Sequence, residues 1–146
     1  MSSTNKRLIA VAGATDPSVD TARNVAEFGG RILLSAIFLV SGFGKIGAYA
    51  GTAAYMSSQG VPGALLPFVI ATEVLGGIAI VIGWQTRIAA FLLAGFSLLS
   101  ALLFHANFAD QMQAINFLKN VAIAGGFVLL VANGAGPLSF DRRAGR

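Results

Sequence analysis

Four long apolar stretches, separated by short polar segments, dominate the pattern of residues along this chain. They cover approximately residues 29–48, 64–84, 88–106 and 117–134. Each stretch is rich in Leu, Ile, Val, Phe and Ala and lacks the strict alternation of a half-buried strand. A hydrocarbon layer about 30 Å thick is crossed by about 20 helical residues. The lengths therefore predict four transmembrane helices.

The backbone itself supports a helical interpretation of these stretches. Lipid offers no hydrogen-bond partners, so only helices and closed barrels can span it. The predicted fold class is an all-α membrane protein, a four-transmembrane-helix bundle over residues 28–140 with cytoplasmic N- and C-termini. Residues 1–27 are predicted to form a polar cytoplasmic tail, and residues 141–146 a basic C-terminal tail.

Two features of the N-terminal segment allow alternative interpretations. Lys6 and Arg7, followed by a short apolar stretch that ends at Ala14, have the outline of a secretory signal. The apolar stretch is at the minimum length for a signal, and a polar segment separates it from the first span, so an uncleaved tail is favoured. Ser18 either caps a short amphipathic helix lying on the membrane or belongs to a solvated linker.

The composition agrees with a membrane protein. Hydrophobic residues make up 55% of the chain and charged residues 11%, and the mean hydropathy is +0.75. A soluble domain is roughly a quarter charged, so a soluble globular enzyme is disfavoured. The chain has no cysteine and one histidine, which argues against thiolate metal sites, iron–sulfur clusters and bis-histidine haem. No metal site and no covalently bound cofactor are predicted.

The basic residues are distributed unequally between the two sides of the predicted bundle. Eight of the ten Lys and Arg residues lie in the tails, at the start of the first span or in the turn between the second and third spans. Arg31 and Arg87 are the expected topology anchors at headgroup level, whereas Lys45 and Lys119 are the two on the other side. The positive-inside rule then places both termini in the cytoplasm. The net charge of +4 follows from this topology, and no nucleic-acid partner is indicated.

The ionisable residues inside the spans share one depth. Lys45 follows Arg31 by 14 residues, and Glu73 precedes Arg87 by 14 residues in a helix of opposite direction. Both therefore lie about 21 Å above the arginines. Each span contributes one ionisable group to the outer third of the bundle: Lys45, Glu73, His105 and Lys119.

Two interpretations of this polar layer stay open. A charge at a helix centre costs about 2.5–3.5 kcal/mol, so such groups turn inward and pair. An ion pair of Glu73 with Lys45 or Lys119 could simply fix the helix register. Alternatively, the layer is a pocket for an oxygen-rich or anionic head group, and its ligand-binding candidates are Lys45, Glu73, His105, Lys119 and Asn120. Sequence spacing gives depth and not direction, and no catalytic residue is assigned.

Small residues in all four spans predict close packing of the helices. They are Gly42, Gly44, Gly76, Gly77, Ala90, Ala94, Gly125 and Gly126. Packing within the chain is the favoured interpretation, ahead of a dedicated dimer face.

Short sequence pieces with a fixed order and spacing run from about residue 31 to residue 141. They are Arg31 with its apolar followers, Ser41 to Lys45, Glu73 to Gly77, Gly83 with Thr86 and Arg87, Phe104-His105, Gln113, Phe117 to Asn120, Ala124 to Gly126, and Gly134 to Asp141. In these pieces the chain resembles the DoxX family of small bacterial inner-membrane proteins. No single piece is specific, but their order across four spans is.

The resemblance implies a four-helix bundle in the bacterial plasma (inner) membrane and, more loosely, a link to respiratory or sulfur redox chemistry. The family takes its name from a subunit of thiosulfate:quinone oxidoreductase. The expected function is a non-autonomous, redox-linked subunit that binds a quinone head group or a small sulfur oxyanion. Quinone is the candidate cofactor, and the expected partners are the lipid bilayer and either a redox protein or further copies of the chain.

The alternative function is a non-enzymatic scaffold, an assembly factor or a small-solute transport protein. In that case the polar layer would be structural or conductive. Transport is less favoured, because the two halves of the sequence show no recognisable inverted repeat.

Overall fold

The computed structural model describes residues 17–145, and within that range the chain is helical with no strand. The helices are α1 Pro17–Gly47, α2 Tyr49–Ser58, α3 Leu66–Ile82, α4 Thr86–Phe104, α5 Gln111–Asn133 and α6 Phe140–Arg143, and a 3-10 turn, Gly63–Leu65, leads into α3. The helices α1, α3 with its turn, α4 and α5 are long and apolar enough to cross a membrane. The predicted all-α bundle of four transmembrane helices is thus confirmed, and the orientation of its termini stays a prediction.

Helix α1 extends beyond the predicted first span. It is continuous from Pro17, the first described residue, to Gly47. The segment around Ser18 is therefore neither a separate helix nor a linker, since residues 17–28 form the exposed first turns of the span. An ion pair between Arg23 and Glu27, 2.8 Å apart and one helical turn from each other, supports these turns. The alternative of a secretory signal at residues 6–14 lies outside the described residues.

Two further boundaries differ from the sequence prediction. The segment between the first two spans contains helix α2, which ends before Gly60, a residue with φ of 78°. Helix α5 begins at Gln111, ahead of the predicted start at residue 117, because the Asp110 side chain caps it. The Asp110 carboxylate accepts hydrogen bonds from the backbone N–H groups of Met112 and Gln113, at 2.7 and 3.2 Å.

The long helices pack as two pairs, α1 with α3 and α4 with α5. Glycines allow the close approach: a Cβ on Gly42 would lie 2.7 Å from Val74 Cγ2, and one on Gly77 would lie 2.8 Å from Leu39 Cδ2. Gly44, by contrast, faces open space. The buried core at the centre comprises Phe38, Ala79, Ile80, Ala89, Ala90, Leu93, Ala94, Ala124 and Phe127.

Arg31 ties the end of α3 to the C-terminal segment. Its side chain is buried, with 1% of the residue exposed, and it donates hydrogen bonds to Ile80 O at 3.2 Å, to Val81 O at 3.0 Å and to Leu138 O. The last carbonyl groups of a helix have no partner within the helix, so the guanidinium satisfies them. Arg31 therefore acts inside the bundle, a role that the sequence analysis did not predict.

Asp141 caps the start of α4, although it lies far from that helix in the sequence. Its carboxylate accepts hydrogen bonds from the N–H groups of Gln85 and Thr86, each at 2.8 Å, at the start of α4. Its own N–H donates to Gly83 O at 2.8 Å. Gly83 has φ of 69°, and a Cβ there would overlap Ser139. The residues 134–141 thus close one end of the bundle by hydrogen bonds to the backbone.

Candidate functional site

An ion pair joins α1 and α3 at the opposite end of the bundle from Arg31. Lys45 Nζ lies 2.8 Å from both carboxylate oxygens of Glu73. The Ser41 hydroxyl, one turn before Lys45 on the same face of α1, donates to Glu73 Oε1 at 3.2 Å and accepts from Lys45 Nζ. The Glu73 side chain is 6% exposed and that of Lys45 24%. Gly42 permits this contact, because a Cβ there would lie 3.2 Å from Glu73 Cβ.

Beside this ion pair lies a cavity of about 570 Å³, within the usual range of small-molecule sites. All four long helices and α2 line it. Its polar lining residues are Ser41, Lys45, Thr52, Glu73, Ser100, His105, Asn116, Lys119 and Asn120. The rest of the lining is apolar or aromatic, so a polar end is joined to hydrophobic walls.

Three phenylalanine rings pack together at the end of the cavity nearer Arg31. Phe38 contacts Phe127 edge-on with ring centroids 5.4 Å apart, and Phe96 lies 6.4 Å from Phe38. Phe38 and Phe96 line the cavity, and Phe127 lies one helical turn beyond the lining residue Ile123, toward the Arg31 end. The rings therefore separate the cavity from the Arg31 end of the bundle.

The Lys119 ammonium borders the cavity and has no counter-ion among residues 17–145. Lys119 is exposed, and within that range its ammonium has no hydrogen bond or ion pair. Lys45, by contrast, is neutralised by Glu73. With His105 neutral, the charged side chains of the lining sum to one positive charge. The polar end therefore favours a ligand that carries negative charge or accepts hydrogen bonds.

His105 is held by a neighbour on the next helix. Its Nδ1 lies 2.7 Å from Gln113 Oε1. Because an amide oxygen only accepts hydrogen bonds, Nδ1 carries the hydrogen and Nε2 is the basic nitrogen of the neutral ring. Asn120 Nδ2 donates to the Asn116 carbonyl at 3.0 Å, which leaves its side-chain oxygen as an acceptor.

The structure brings all five ligand-binding candidates from the sequence into one cavity: Lys45, Glu73, His105, Lys119 and Asn120. It does not bring the two predicted anchors there. Arg31 and Arg87 lie at the other end, where Arg87 Nη1 donates to Val131 O at 3.0 Å. Within residues 17–145, no group of three His, Cys, Asp or Glu side chains could hold a metal ion.

Helix α2 contributes lining residues that the sequence analysis missed. Tyr55 and Met56 line the cavity from this connecting segment, and the Tyr55 ring stacks on Phe104 with centroids 5.9 Å apart. Met56 is buried, with 4% exposed. The signal in the sequence was an aromatic and a methionine within a segment that otherwise resembled a linker.

Comparison with known proteins identifies close relatives. The DoxX family model matches residues 26–106. The inner membrane protein YqjF of Escherichia coli (strain K12) is 51% identical over 112 residues, which cover 77% of this chain and 86% of YqjF. The inner membrane protein YphA of the same organism is 40% identical over 129 residues, covering 84% of this chain and 92% of YphA. No solved structure matches this chain.

Proposed function

This chain belongs to the DoxX family of integral inner-membrane proteins, and we propose that it is a redox-linked membrane subunit that binds a quinone head group in the cavity beside Lys119. One observation carries the proposal: a cavity of about 570 Å³ combines apolar walls with an exposed cation that has no partner among the described residues. Hydrophobic walls with a few placed polar groups are typical of small-molecule sites.

The polar residues match the head group of a quinone. Lys119 can donate to a carbonyl oxygen, and a charge-assisted hydrogen bond of this kind is stronger than a neutral one. Lys45 is held by Glu73 and Ser41, so it presents a fixed positive charge whose counter-ion is already in place. His105, oriented by Gln113, can accept a proton or a hydrogen bond at Nε2. These side chains bind and orient the head group.

The quinone, when bound, supplies the two-electron chemistry, and a partner protein would supply or remove the electrons. The chain has no cysteine and one histidine, so the proposal assigns it binding and positioning and leaves electron delivery to the partner. The walls favour a quinone over a small sulfur oxyanion. Phe38, Phe96 and Phe104 line the cavity, and aromatic rings pack against a flat ring better than against a compact hydrated anion.

Binding to the full chain in lipid nanodiscs tests the proposal. The probes are 2,3-dimethoxy-5-methyl-1,4-benzoquinone and thiosulfate, and calorimetric titration gives each Kd. We expect the quinone to bind and Lys119→Met to weaken it about tenfold or more, since a hydrogen bond to a charged group contributes about 1.5–3 kcal/mol. Lys119→Arg keeps the charge and should restore most of the affinity.

Matched controls distinguish a loss of quinone binding from a loss of folding stability. Arg143→Met removes one exposed positive charge outside the cavity and should leave quinone binding unchanged. Lys119→Met should not alter the melting temperature, because Lys119 has no partner within residues 17–145. If neither probe binds, or if Lys119→Met binds as the wild type does, the proposal is overturned and the layer is structural. Binding of thiosulfate alone would overturn the quinone assignment in favour of an oxyanion.

A further inference from the structure

The polar and apolar lining residues of the cavity are unevenly distributed among the helices. Helix α5 contributes Asn116, Lys119 and Asn120, whereas the lining from the 3-10 turn, from the start of α3 and from most of α4 is apolar. A ligand whose head group contacts Lys119 therefore has its remaining part directed toward hydrocarbon side chains.

Three of these apolar residues mark an opening. Leu65, Leu99 and Leu103 line the cavity, yet they are 45%, 54% and 43% exposed. A side chain that borders a cavity and is also about half exposed lies at its mouth. Leu65 immediately precedes α3, and the other two lie on α4, so the mouth is between these helices.

The same pair of helices is closed further along. A Cβ on Gly76 of α3 would lie 3.0 Å from Leu93 Cδ2 of α4, which leaves no gap at that level. The two helices therefore pack tightly at the level of Gly76, which lies nearer the Arg31 end than the mouth does. Since both helices are candidate membrane spans, a gap between them faces hydrocarbon and not water.

We infer that this mouth is a lateral portal, through which the tail of a membrane-soluble quinone projects into the lipid while its head group lies near Lys119. The inference rests on the proposed function and adds to it the ligand class, a quinone with an alkyl or polyprenyl tail. Lipid chains are as apolar as leucine, so the tail gains little by leaving the bilayer. The portal allows the tail to remain there.

Blocking the mouth tests the portal in the full chain in nanodiscs. The two probes are the tail-less quinone named above and its decyl derivative. Each Kd is expressed as a concentration of quinone within the membrane. In the wild type we expect the two affinities to agree within about threefold, because the tail stays in lipid in both states. Leu99→Trp and Leu103→Trp should weaken the decyl probe about tenfold or more and the tail-less probe about twofold or less, because overpacking affects only the group that passes the mouth.

The chain provides a matched control for these substitutions. Leu102 lies on the same helix and is 61% exposed, but it does not line the cavity, so Leu102→Trp should leave both affinities unchanged. Ile37 of α1 is the competing position, since it lines the cavity and is 52% exposed. A tail-specific loss in Ile37→Trp without one in Leu99→Trp would overturn the assigned portal.

Failure of the portal can be distinguished from failure of the proposed function. If the tail-less quinone binds and the decyl derivative does not, the cavity is closed to lipid, the portal is refuted and the head-group site stands. If neither quinone binds, the proposed function fails and the portal fails with it.

Discussion

Glu73→Gln tests how strongly the buried ion pair stabilises the bundle. The substitution keeps the shape of the side chain and removes its charge. In the wild type both Glu73 oxygens lie 2.8 Å from Lys45 Nζ. In the variant the Lys45 ammonium keeps Ser41 and one amide oxygen as partners but loses its counter-ion, at a side chain that is 24% exposed.

The expected cost can be worked from these contacts. Removing one partner of a buried pair costs about 3–5 kcal/mol. Partial exposure of Lys45 and the retained amide acceptor reduce this to about 2–3 kcal/mol. For a chain of this length, each kcal/mol corresponds to roughly 2–4 °C, so the melting temperature should fall by about 5–10 °C. Lys45→Met should cost more, about 3–5 kcal/mol, because it leaves the Glu73 carboxylate, whose side chain is only 6% exposed, without its counter-ion.

A double-mutant cycle isolates the interaction. Lys45→Met combined with Glu73→Gln removes both charges and leaves none unpaired, so its cost should be smaller than the sum of the two single costs by about 2 kcal/mol. The assay is reversible unfolding in one detergent, followed by helical circular dichroism and by Trp84 fluorescence. Strictly additive single costs, or an unchanged melting temperature for Glu73→Gln, would refute the claim that this pair stabilises the fold.

Two further predictions concern other parts of the bundle. Asp141→Ala removes the acceptor for two backbone N–H groups at the start of α4 and should cost about 0.5–2 kcal/mol; faster hydrogen exchange at Thr86 would show the loss, and unchanged exchange would contradict the cap. Gly42→Ala should destabilise the α1–α3 contact, because its Cβ would lie 2.7 Å from Val74 Cγ2, whereas Gly95→Ala faces open space and should be neutral or stabilising. Equal melting temperatures for the two glycine variants would contradict the packing argument.

Depth along the membrane normal was predictable from the sequence, and direction around each helix was not. Counting residues from the arginines placed Lys45 and Glu73 at one height, because the rise of a helix is fixed. Whether Glu73 pairs with Lys45 or with Lys119 depends on how the helices are rotated. That rotation follows from packing at Gly42 and Gly77, where α1 and α3 approach closely. The pairing therefore required the structure.

Contacts between segments that lie far apart in the sequence could not be predicted from the sequence pattern either. Asp141 caps a helix that starts 55 residues earlier in the chain, at Thr86. A capping signal read from sequence is local, so a cap supplied from the C-terminal segment leaves no trace in it. Helix α2 was missed for a different reason: its apolar side chains contact the cavity and the Phe104 ring, and tertiary packing of this kind overrides weak local propensity.

The polar groups of the bundle differ in whether other segments of the chain satisfy them, and this difference separates the groups needed for stability from the one available for binding. At one end Arg31, Arg87 and Asp141 all hydrogen-bond to backbone groups of other segments. Removing Arg31 or Asp141 leaves buried or part-buried backbone groups unsatisfied and costs stability. At the other end Lys119 has no partner within residues 17–145, so the fold does not depend on its charge. Because that charge borders a cavity with apolar walls, it remains available to a ligand.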